Sequence, residues 1–224
     1  MEKRYYSTNK PYAKHKKKRW GTKLLVKVVS FFAPTHTIHY KQKPADGEPV
    51  VYACNHDRAY GPLFVVLTFK QRFRPWVIDE VCHIKSAAKF ARADFWQPKN
   101  IIGKIGSYLA SMILKIPLPL IMRGLEAIPV FYDNRVTQTF TKSIQTLKEG
   151  IDIVIFPEER IPFSEINEEF QEGFVSIAKI YYDQTGKRLN FYPTYICKHN
   201  RTIQVGAPVE FNPDVPFREH QTQI

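Results

Sequence analysis

Three cysteines in 224 residues, Cys54, Cys82 and Cys197, are too few and too widely spaced for a disulfide framework or a CxxC metal site, and each lies in or beside an apolar run. They read as reduced, buried thiols, which points to a cytosolic setting. No apolar run reaches the roughly 18 residues of a spanning helix. The longest candidate, residues 105–122, is broken by Lys115, Pro117 and Pro119. No signal peptide is read at the start, which is basic for too long and has no small-residue cleavage pattern after it. There is no glycine-rich phosphate loop, no internal repeat and no low-complexity tract beyond a basic arm, so nucleotide-hydrolysing readings lack support. Acid is scarce at one end. Residues 1–27 hold ten Lys or Arg against Glu2 alone, which places nine of the twelve net positive charges there and leaves the remainder nearly balanced.

What is present is enough apolar material, 44% with 14% aromatic, to bury the core of one α/β domain. Residues 1–19 are polar, basic and interrupted by Pro11, and read as a mobile arm. Residues 20–34 follow a helical pattern, with Trp20, Leu24, Val28 and Phe31 on one stripe, Lys23 and Lys27 on its flank, and Pro34 ending it. Charge alone suits either nucleic acid or an anionic membrane. A basic helix with Trp and Phe on its apolar side favours the membrane interface, so no nucleic-acid partner is expected. Packing of that same stripe on the domain is the plain alternative. Residues 35–224 then form a single α/β domain.

Two stretches organise that domain. Val50 to Cys54 is an apolar, β-rich run that ends in Asn55-His56-Asp57-Arg58 and then Gly61-Pro62. About a hundred residues on, Ile151 to Phe156 ends in Pro157-Glu158-Glu159-Arg160. Further strands are predicted at 36–40, 76–78, 127–132, 190–196 and 203–206, the first making a β-hairpin with the Val50 strand. Arg74-Pro75 is read as a break before the strand at 76–78, which ends at Asp79-Glu80. Helices are predicted at 63–69, 86–93, 101–116 and 135–148, the third being either core or a surface that touches acyl chains. This alternation argues a mostly parallel sheet flanked by helices. Ligands in such sheets bind outside the carboxyl ends of the strands, where His56 and the acids fall.

Taken with Ile128-Pro129-Val130 and Tyr192-Pro193, the runs Asn55-His56 and Phe156-Pro157-Glu158 resemble the four blocks of the glycerolipid acyltransferases, the family of the lysophosphatidic acid acyltransferases. The resemblance spans most of residues 50–210 and departs at three places. Gly61 stands where the first block has its Asp. Tyr132 stands where the second has Arg, the nearest being Arg135. Glu159-Arg160 replace the third block's Gly-Thr.

The resemblance implies transfer of a fatty acyl group to lysophosphatidate with no metal or resident cofactor. The donor would be acyl-CoA, acyl-acyl carrier protein or acyl phosphate, and the location the cytoplasmic face of a membrane. His56 would be the general base, since an imidazole of ordinary pKa near ~6.5 is neutral at cellular pH. With Gly61 unable to orient it, Asp57 or Glu80 is the candidate replacement carboxylate. Glu158 would lie on the acceptor side, and Arg58, Arg135 and Arg160 are the candidates for its phosphate. A non-catalytic lipid-binding relative of the same fold is the alternative.

Overall fold

The computed structural model describes residues 24, 27, 30, 31, 33–57, 59–95, 101–157 and 172–215. Among these, eight strands form one sheet: β1 (Thr37–Tyr40), β2 (Val50–Cys54), β3 (Phe73–Ile78), β4 (Ile128–Val130), β5 (Asp152–Ile155), β6 (Asn190–Cys197), β7 (Thr202–Val205) and β8 (Val209–Glu210). Their order is β1-β7-β6-β2-β5-β3-β4, with β8 paired to β6. All pairs are parallel except β6 with β7 and β6 with β8. The α/β class and the mostly parallel sheet expected from the alternating pattern are therefore present.

β2 lies at the centre because its side chains have no polar face. Val51 points into a cluster with Ile144 and Leu147 of α5 (Val136–Lys148) and Ile177, Ala178 and Tyr181 of α6 (Ser176–Thr185). Val50, Tyr52 and Cys54 point the other way, against Phe64, Val65 and Phe69 around α1 (Tyr60–Thr68). The chain thus crosses a three-layer sandwich, and a strand apolar on both faces has only a central place to go. Truncating one of its buried aliphatic side chains would cost about 2–5 kcal/mol.

Two expectations need correction. β1 does not form a hairpin with β2: it pairs in parallel with β7, with β6 and β7 lying between it and β2. Its alternation of exposed and half-buried residues suits a sheet edge, whereas β2 is buried on both sides. Nor does Pro75 break the chain ahead of a short strand. β3 begins at Phe73 and pairs with β5 through Pro75, then with β4 from Trp76 onward. The proline sits where the strand changes partners, a point at which a missing N–H is tolerated.

Between β3 and β4 the chain makes a short 3-10 turn (Asp79–Cys82) and then α2 (Ile84–Phe95), α3 (Ile101–Leu114) and α4 (Pro117–Gly124). Met122 of α4 joins Val81, Cys82 and Ala127 in a third cluster, to which Leu118, Ile121 and Leu125 also pack. Burial pushes the Cys82 thiol up to about 12, so it is an inert packing group, as expected of a buried thiol. On the far side of β3, Arg74 reaches Glu126, Glu149 and Thr146, tying the start of β4 to the end of α5.

At the same amino end of the sheet, Asp152 accepts the Val50 N–H at 3.1 Å, joining the first residues of β5 and β2. Burial outweighs that bond and pushes the carboxyl up to about 6, above its ordinary 3.8. The folded chain therefore holds this proton more tightly than the unfolded chain. The resulting stability is present in full below about pH 4 and is lost as pH rises toward about 6. Denaturation midpoints should fall across that window in the parent protein. In Asp152→Asn, whose amide oxygen keeps the Val50 bond, this component of the fall should vanish. Equal slopes in both proteins would contradict the assignment.

Candidate active site

β2 ends at Cys54, and Asn55 then does with its side chain what a strand does with its backbone. Its amide nitrogen donates to Ile196 O at 3.2 Å and its amide oxygen accepts from Ile196 N at 2.6 Å, while its own N–H donates to Thr194 O at 3.3 Å. These bonds carry the β2–β6 ladder past the end of β2 and fix the backbone from which His56 projects. An asparagine directly after a buried strand and before the histidine was the sequence signal for this clamp, and its role becomes legible only once Ile196 is known to lie beside it.

After His56 the chain turns sharply. Asp57 adopts φ 37°, a left-handed conformation that Asp tolerates better than most residues. Its carbonyl accepts the N–H of Tyr60, and that of His56 accepts the N–H of Gly61 at 3.0 Å, so α1 starts on the strand's own end. Gly61 is pressed onto that turn. A Cβ there would stand 2.4 Å from Asn55 O and 2.6 Å from His56 O, both backbone atoms that cannot swing away. The position at which the resemblance leads one to look for an aspartate therefore has no room for a side chain.

His56 is half-buried at the carboxyl edge of the sheet, with the Phe156 ring edge-on at 5.3 Å between centroids. Phe156 follows β5, the strand between β2 and β3. Glu80, in the turn after β3, is thus two strand spacings from the histidine's strand, roughly 10 Å of backbone separation. The structure brings Asp57 next to His56 by sequence, with its side chain exposed, and places Glu80 on the same edge but across Phe156. Arg58, Glu158 and Arg160 lie outside the described residues.

Arg135 also reaches this edge, from the start of α5. Its guanidinium grips Asp133 through both carboxylate oxygens at 2.8–3.0 Å, lies 4.2 Å from the centroid of the Phe131 ring, and comes within 3.9 Å of Asp79. The bond to Asp133 raises the Arg135 pKa and holds the Asp133 carboxyl below its ordinary value. Asp79 in turn accepts from or pairs with His83 Nε2 at 3.1 Å. A phosphate approaching Arg135 meets three acids, Asp79, Glu80 and Asp133, around one guanidinium. Tyr132, where the resemblance leads one to look for an arginine, is exposed. Sequence reasoning missed Asp133 and His83 as members of this cluster, because neither stands at a block position. Among the described residues no group of His, Cys, Asp and Glu could hold a metal ion.

A mostly parallel α/β sheet with a clamped histidine at its carboxyl edge defines the class of site. No family model matches the sequence, and no curated protein matches it. Among solved structures, the chain is similar in fold to the 1-acyl-sn-glycerophosphate (LPA) acyltransferase PlsC from Thermotoga maritima. The two are 12% identical, with a TM-score of 0.47 over 92% of this chain and 75% of that one.

The close approach at Gly61 gives a direct expectation. Gly61→Ala should destabilise the fold by about 3 kcal/mol or more, since backbone rather than a side-chain tip must move. Urea denaturation measures it, and a loss below ~1 kcal/mol would show that the turn can open.

Proposed function

We propose that this protein is a membrane-peripheral acyltransferase that moves a fatty acyl group from a thioester of coenzyme A or acyl carrier protein, or from an acyl phosphate, to lysophosphatidate. The observation that carries the reading is His56 on its Asn55 clamp at the carboxyl edge of the sheet, in the sequence setting described above. The imidazole takes the proton of the acceptor hydroxyl as its oxygen attacks the acyl carbonyl. The tetrahedral adduct then expels the donor's thiolate or phosphate, and that leaving group takes up the proton from the imidazolium, which restores the neutral base. Asp57 or Glu80 supports that imidazolium, Glu158 orients the glycerol part of the acceptor, and Arg58, Arg135 and Arg160 compete for its phosphate. Exchange of Arg135 from Asp133 to a phosphate keeps its bidentate geometry. His56→Ala should lower acyl transfer by ~10²–10⁴-fold with the denaturation midpoint unchanged. Unaltered turnover would remove His56 from the mechanism.

Membrane attachment is proposed for the N-terminal basic segment. Leu24, Lys27, Ser30 and Phe31 are helical, and Leu24 and Phe31 are exposed. Deleting residues 1–33 should weaken binding to anionic vesicles while leaving turnover of detergent-dispersed acceptor largely intact, each Lys or Arg near the surface contributing on the order of 1 kcal/mol. Undiminished sedimentation with vesicles would exclude that segment as an anchor.

The second reading, a non-catalytic lipid-binding protein, is favoured by Gly61, where no carboxylate can be accommodated to orient the histidine. Purified protein that binds lysophosphatidate yet turns over none of the three donor types would select it.

A further inference from the structure

α3 is built the wrong way round for a helix in water. Among the residues of α3 whose burial is described, the buried ones are Ser107 and Ser111, both at most 4% exposed, one helical turn apart and in line with the half-buried Gly103. Five of its large apolar residues, Ile105, Tyr108, Leu109, Met112 and Ile113, fall in a single arc of roughly 140° at the pitch of an α-helix. That arc faces out, with Leu109 58% and Ile113 74% exposed, and it continues through Ile116 to Leu120 of α4. The buried serines cost little, because their hydroxyls donate to Lys104 O and Tyr108 O within the helix. Small residues inward and large apolar residues outward is how helices pack when their outer solvent is lipid.

Charge identifies the lipid surface. From Ile84 to Leu125 the sequence has Lys85, Lys89, Arg92, Lys99, Lys104, Lys115 and Arg123 against one acid, Asp94. Lys85, Lys89, Lys104 and Arg123 are exposed. α3 and α4 meet at a 45° bend, and no single helix among the described residues is long and apolar enough to cross a bilayer. The 14 residues of α3 span about 21 Å against about 30 Å of hydrocarbon. We infer that the outward face of α3 and α4 is a second membrane-docking surface, which lies in one leaflet of an anionic bilayer with its apolar arc in the acyl region and its cations among the headgroups. α4 packs on the turn after β3, so this surface adjoins the sheet edge that carries His56, and the inference stands whether or not acyl transfer is confirmed.

The test uses the full chain with Cys197→Ser and Ile113→Cys, labelled with an environment-sensitive nitrobenzoxadiazole; Cys54 and Cys82 are buried and do not compete. A control label at Gln184→Cys sits near the end of α6, which runs from the carboxyl end of β5 back to the amino end of β6, on the far edge of the sheet. Vesicles of phosphatidylcholine are compared with vesicles also holding about 30% phosphatidylglycerol. The label at 113 should shift to the blue and brighten several-fold on anionic vesicles, while the label at 184 stays unchanged. Ile105→Glu with Leu109→Glu should cut vesicle partition by ~10-fold or more, checked against circular dichroism. Should that variant fail to fold, Lys104→Gln with Arg123→Gln gives the same comparison. A chain that binds no vesicles, or binds them with the 113 label unmoved, overturns the inference. So does a 113 label that responds to protein concentration without lipid, which would mean that a second copy of the chain covers the face.

Discussion

Everything at the carboxyl edge hangs on how closely the start of α1 lies on the end of β2. Gly61 rests on the carbonyls of Asn55 and His56, and the Asn55 amide is bonded to both backbone groups of Ile196. One contact fixes the histidine from the helix side and the other from the β6 side. A residue held between a left-handed turn and a strand clamp has its backbone direction fixed from both sides. The same closeness removes the space for a carboxylate at position 61.

The central strands serve that edge by being apolar on both faces. β2 and β5 are sandwiched between α1 on one side and α5 and α6 on the other, so their ends can move only if the sheet moves. Where the layers thin out, toward β3 and β4, charge takes over. Arg74 holds Glu126 and Glu149 at the amino end, and Arg135 holds Asp133 and lies near Asp79 at the carboxyl end. Each arginine is paired with more than one acid, which ties β4 and α5 to β3 at both of its ends. Beyond that lie α3 and α4, whose outward face exposes Ile105, Leu109, Ile113 and Leu120 beside the cations Lys104 and Arg123.

The buried strands were legible because β2 and β5 are short β-rich runs ended by charge, a pattern that needs no knowledge of neighbours. The helices 84–95, 101–114 and 136–148 were legible within a few residues for the same reason, their periodicity being local. Pairing was not. β1 reads as a hairpin partner of β2 because the turn at Gly47 lies between them, yet strand order is decided by which faces must be covered, and β1 is half-exposed. At the site, His56 could be picked out from its place after a buried strand. The Asn55 clamp could not, since Ile196 is 141 residues away in sequence, and neither could the steric reason for Gly61. Arg135 was visible as a displaced arginine, but its capture by Asp133 depends on the turn that precedes α5.

The central claim is that the acceptor lipid binds at the carboxyl edge against His56. Histidine side-chain NMR on the full chain, with short-chain lysophosphatidate titrated in detergent and the His56 signal assigned by its loss in His56→Gln, addresses this without presupposing turnover. The account predicts that the His56 ring resonances shift in a saturable manner, while those of the exposed His39 and His199 stay in place. A His56 signal that does not respond to saturating acceptor, or that moves no more than those of His39 and His199, would contradict it.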